Sequence, residues 1–134
     1  MEISVDFPGG CRVDAHVGPF TVHTDQPQSY GGDNSAPSPF ELFLASLAAC
    51  AGYYVLQFCD SRGIDTEGMR LTQRAERDPE TKILRKITID IQLPPGFPSK
   101  YIPAAVRAAE SCAVKRHLKN PPEIEVRAIE SPQR

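Results

Sequence analysis

Residues 42–59 carry no formal charge, and from Leu42 to Val55 almost every side chain is apolar or small. A run of that length is within range of a bilayer span, but it also holds Ser46, Gly52, Tyr53, Tyr54 and Gln57. A single span would leave the strands around it without a partner, so the run reads as a buried core helix. Its start is sharply punctuated. Ser38 is a good N-cap, Pro39 suits the first helical position, and Glu41 follows the cap by three residues, which makes a capping box. Arg62 falls in the last turn and Gly63 is a natural stop. The helix is then about 24 residues, or roughly 36 Å at 1.5 Å per residue. A helix that is apolar around its whole circumference must be covered on all sides. One chain of 134 residues has few elements for that task, so a second copy is expected to supply the remainder.

The flanking segments read as strands. Ile3, Val5 and Phe7 alternate with polar neighbours up to a turn at Pro8-Gly9-Gly10. Cys11, Val13, Ala15 and Val17 then share one face opposite Arg12, Asp14 and His16. After Gly18-Pro19, Phe20 and Val22 alternate with Thr21 and His23, which completes a three-strand meander. Residues 25–38 are rich in Gly, Pro, Ser and Asn and read as a loop without periodicity. Residues 65–93 read as a hairpin turning at Asp78-Pro79-Glu80, with Ile83, Arg85, Ile87, Ile89, Ile91 and Leu93 on one face. A second helix is expected from Ile102 to Leu118, ended by Pro121-Pro122. Ile124, Val126 and Ala128 alternate with charged residues as a final strand. The order βββ-α-ββ-α-β defines an α+β fold in one domain spanning residues 1–134.

With 15 basic and 17 acidic residues, the chain lacks the basic footprint that a nucleic-acid partner requires. The start MEISVDFPGG has neither the basic segment nor the apolar core of a signal peptide, so a cytoplasmic location is expected. In that compartment Cys11, Cys50, Cys59 and Cys112 are not a permanent disulfide framework. No two of them form C-x-x-C, and no acidic or cysteine ligand stands at zinc spacing beside His16 or His23, so no metal and no cofactor are expected. At about 100° per residue, Cys59 points to the opposite side of the helix from Cys50, and the two cannot bridge within it. Cys11 and Cys59 read as structural. Cys50, in LAACAGYY, is either an inert core thiol or a nucleophile, and the second role needs a nearby cation. Cys112, in ESCAVKRHL, either packs with Ala105, Ala109 and Ala113 or is activated by Lys115 and Arg116 one turn on.

The stretch GGDNSAPSPFELFLASLAAC (Gly31–Cys50) resembles the OsmC/Ohr family of osmotically inducible and organic-hydroperoxide-resistance proteins. The element order agrees, and Cys112 falls where the family carries its second cysteine. The resemblance implies an intertwined homodimer with the long helices at its centre and two active sites at the subunit interface. It implies that Cys50 attacks an organic hydroperoxide, that Cys112 then closes a disulfide with it, and that an external dithiol, such as a dihydrolipoyl group, restores both. It further implies a cysteine-activating arginine from the N-terminal strands, matched by Arg12, and a glutamate that holds it, matched by Glu41. Peroxidase members carry that glutamate directly after the proline of the helix start. Here Phe40 stands in that place and the acid comes one residue later, where Glu41 also serves the capping box. A second reading is a non-enzymatic OsmC-like protein that binds a small apolar ligand or senses oxidation at the same interface.

Overall fold

The structure, a computed structural model, describes residues 1–132. Its elements are β1 (Ile3–Gly9), β2 (Arg12–Val17), β3 (Phe20–Thr24), α1 (Pro39–Ser61), β4 (Arg70–Arg77), β5 (Leu84–Gln92), α2 (Ile102–Glu110) and α3 (Ala113–Lys119). Single 3-10 turns cover Gln28–Tyr30 and Ser99–Tyr101. The strands form two antiparallel sheets, β1-β2-β3 and β4-β5. This is the expected α+β architecture with three departures.

The second helix is broken. Ser111 closes α2, its N–H bonding back to the Arg107 and Ala108 carbonyls. Cys112 then takes an extended conformation (φ −60°, ψ 147°) and becomes the N-cap of α3. A capping residue must leave the helical region of φ/ψ space, so the interruption and the cap have one cause. The final strand does not form among the described residues: residues 121–132 have no regular structure, and Ile124 and Val126 are 82% and 91% exposed. A strand needs a ladder partner for its N–H and C=O groups, and among the described residues the segment pairs with none. Finally, the β4-β5 register shifts between Glu76 and Arg77, where Arg77 pairs with Leu84 and Glu76 with Lys86. Arg85 is left over as a bulge, and Leu84 thereby joins Ile87, Ile89 and Ile91 on one face while Ile83 turns out to solvent.

The α1 helix matches its sequence signals at both ends. The Ser38 hydroxyl accepts from the Glu41 N–H, and the Glu41 carboxylate accepts from the Ser38 N–H at 2.8 Å. Gly63 beyond the end takes a left-handed φ of 63°. Only one stripe of α1 is buried: Leu47, Ala51, Val55 and Cys59, four residues apart in series. The α2 and α3 helices cover it, and β4 packs alongside, with Leu71 against Gly52 and the Gln73 amide donating to the Leu44 carbonyl at 3.0 Å. Ala45, Ser46, Ala49, Tyr53 and Leu56 stay exposed on the far side. The β1-β2-β3 meander packs chiefly within itself, and its apolar residues Phe7 and Phe20 face solvent.

The loop before α1 is more ordered than its composition suggests. Asp25 is buried and accepts from the backbone N–H groups of Gln26, Asp33 and Ser35 and from the Ser35 hydroxyl at 2.6 Å. A Cβ at Gly32 would lie 2.0 Å from the Gln26 carbonyl oxygen, so only glycine fits that approach. The Ser35 hydroxyl and then the backbone donors hold the Asp25 carboxyl down at about 2. A folded pKa below the unfolded value stabilises the fold at neutral pH, and that contribution is lost as pH falls from about 4 through about 2. Asp25→Asn is therefore expected to lower the urea midpoint at pH 7 and to flatten its fall below pH 4. An unchanged acid profile would show that the loop does not depend on this charge.

Candidate active site

The α1 helix carries Cys50 toward α3, on the flank of the buried stripe that Leu47 leads. Cys50 is half-buried and Cys112 fully buried, and both are free thiols. Cys50 lies close enough to Cys112 across the helix junction to perturb its thiol. Two thiols far apart in sequence are thus neighbours because α2 and α3 fold back onto α1. The Cys112 Sγ also accepts the Lys115 N–H at 3.4 Å, the capping contact of α3. Burial, above all, pushes the Cys112 thiol up. The Lys115 N–H opposes that push, and the neighbouring Cys50 adds to it. Cys112 is therefore held as a protonated thiol beside Cys50. Burial likewise raises Cys59, with Asp60 adding to the effect, and no side-chain hydrogen bond engages this thiol among the described residues. Cys59 is structural, as its place on α1 predicts.

An open groove of about 740 Å³, lined in part by Cys112, runs between β5 and the α2–α3 pair. Leu47, Leu84, Ile89 and Val106 give it apolar walls, and Lys115 lies along it. Next to the thiols, one helical turn on, the Arg116 guanidinium donates to the Tyr54 hydroxyl at 3.1 Å. Tyr54 follows Cys50 by four residues and Arg116 follows Cys112 by four, so each shares a face with its cysteine. The sequence marked Arg116 as a neighbour of Cys112. It did not mark Tyr54, although the same spacing rule applied to α1 finds it.

The other two predicted site residues lie elsewhere in the chain. Arg12 is exposed on β2, and its Nε donates to the Gly9 carbonyl at 3.2 Å. Glu41 is occupied by the capping box. Among the described residues no hydrogen bond or ion pair joins Arg12 to Cys50 or to Glu41. Phe40 lies beneath the Arg77 guanidinium, 4.9 Å from its ring centroid. No group of three or more His, Cys, Asp or Glu side chains converges as a metal site among the described residues.

A family model described as OsmC-like protein matches residues 32–127, a span that runs from the loop before α1 past Cys50 and Cys112. The chain belongs to the OsmC-like family. Solved OsmC-like structures share its fold. An osmotic stress induced and detoxification response protein from Psychrobacter arcticus superposes with a TM-score of 0.73 at 22% identity over 85% of each chain. An OsmC-like protein from Mycoplasma pneumoniae gives 0.71 at 15% identity, over 90% of this chain and 87% of the other. An organic hydroperoxide resistance protein OsmC from Legionella pneumophila gives 0.56 at 20% identity, over 88% of each. No curated protein matches the sequence.

The difference in burial between the two thiols has a direct readout. Iodoacetamide at near-neutral pH is expected to label Cys50 of the reduced protein before Cys112 and Cys59. Labelling of Cys112 ahead of Cys50 would contradict the arrangement.

Proposed function

We propose that this OsmC-like chain is a thiol-dependent peroxidase for organic hydroperoxides. The observation that carries the reading is the proximity of Cys50 to Cys112, whose side chain lines an apolar groove. The Cys50 thiolate attacks the terminal peroxide oxygen, the O–O bond breaks, and the alcohol leaves with a proton. Cys50 is left as a sulfenic acid. The Cys112 thiol displaces the sulfenic hydroxyl as water, and the Cys50–Cys112 disulfide forms. An external dithiol then reduces it. Thiol peroxidases of this kind need a reducing compartment, which the reading assigns to the cytoplasm. The groove favours an apolar organic group over hydrogen peroxide, because its walls gain from burying hydrocarbon.

In this reading the working unit is a homodimer. The exposed stripe of α1, the uncovered face of the meander and the unpaired residues 121–132 are all surfaces that a second copy would cover. Arg12 is assigned to Cys50 of that second copy, where a guanidinium would keep the thiol ionised, and Glu41 is assigned to hold it there.

One equivalent of cumene hydroperoxide, followed by blocking of free thiols and mass spectrometry without reductant, is expected to reveal a Cys50–Cys112 link. A Cys50 that stays free and is alkylated slowly would instead favour a ligand-binding protein. The shared site has its own test. Arg12→Ala and Cys50→Ser should each abolish turnover, and their co-expression should restore about a quarter of it, since one site in each mixed dimer is intact. No recovery would place the activating cation on the same chain as Cys50.

A further inference from the structure

The α3 helix has little to hold it in place. It is seven residues long, too short to persist without tertiary support. At its start the chain is interrupted at Ser111, and Cys112 itself is the extended joint. Past Asn120 the chain has no regular structure up to residue 132. Only one side-chain hydrogen bond ties α3 to another element among the described residues, that from Arg116 Nη2 to Tyr54 Oη. The backbone bond from the Arg116 N–H to the Cys112 carbonyl, 3.0 Å, makes Arg116 and Cys112 a single rigid turn. On α1, Tyr54 and Cys50 are related by the same turn. The hydrogen bond thus sits one helical turn beyond the cysteines on both helices.

We propose that Tyr54 and Arg116 are positioning residues for the disulfide-forming step, holding the Cys112 sulfur against Cys50. This deepens the peroxidase reading of the same site, but what it claims is the juxtaposition of two thiols, which exists whatever the oxidant. The step they serve is balanced: the Cys112 thiol gives its proton to the departing hydroxyl, the new S–S bond replaces the S–O bond of the Cys50 sulfenic acid, and water leaves. If α3 turns away, the sulfenic acid persists and a second hydroperoxide can carry it to the sulfinic acid.

The test uses Tyr54→Phe, which keeps the ring and removes the hydroxyl, together with Arg116→Met and Arg116→Lys. Equilibration of the reduced protein with glutathione redox buffers measures the effective concentration of Cys50 and Cys112 toward each other. Tyr54→Phe and Arg116→Met are expected to lower it by roughly two- to tenfold, the worth of a net hydrogen bond. The double variant should fall no further than either single one, and Arg116→Lys should recover part of the loss. With cumene hydroperoxide, both variants should show more dimedone-trapped Cys50 sulfenic acid and slower disulfide formation. An effective concentration equal to the parent's in both single variants would overturn the proposal. If glutathione disulfide links the pair but the hydroperoxide does not, the peroxidase reading fails and the positioning role stands.

Discussion

The second half of this fold is arranged around the covering of α1. A helix with so few polar positions must meet protein on most of its surface. Within one chain α2, α3 and β4 cover a single stripe headed by Leu47 and Val55, and full burial of side chains of that size contributes about 1.5–3 kcal/mol each. The same packing brings the thiols together. To cover Leu47 and Val55, the chain after β5 must return across α1, and this return carries Cys112 to Cys50. The site is a consequence of how the helix is buried.

The break at Ser111 gives the return its chemistry. A continuous helix would have bonded the Cys112 N–H to the Ala108 carbonyl and aimed its side chain by helical rotation alone; here the N–H bonds the Ala109 carbonyl at 3.4 Å. As an N-cap, Cys112 has an extended backbone, and its sulfur lies at the point where two short helices meet the long one. Burial there keeps the thiol protonated, which suits a group that must surrender a proton after its neighbour has reacted. Cys59, on the same stripe of α1 as Leu47, is buried as deeply and touches no second thiol in the described hydrogen-bonding pattern, so depth alone does not make a reactive pair.

The uncovered surfaces follow a consistent pattern. The meander exposes one apolar face, α1 exposes Ala49, Tyr53 and Leu56, and the segment after α3 exposes Ile124 and Val126. The alternation after Pro122 is strand-like, and it is unpaired because pairing is a property of two segments. Periodicity reveals which residues share a face and says nothing of what that face will meet. Arg12 illustrates the same limit. Its strand placement follows from alternation, but its partner depends on where the meander lies relative to a helix end.

Local signals in the sequence determined the start and stop of α1, the two hairpin regions and the candidacy of Cys50 and Cys112, because caps, turns and alternation are short-range effects encoded within a few residues. Tertiary structure alone decided the split of the second helix, the bulge at Arg85 that turns Leu84 inward, the burial of Asp25 beneath its loop, and the contact of Tyr54 with Arg116. The Tyr54–Arg116 contact joins residues 62 apart, which no pattern along the sequence carries, and the other three depend on the exact path of the backbone, which periodicity does not specify.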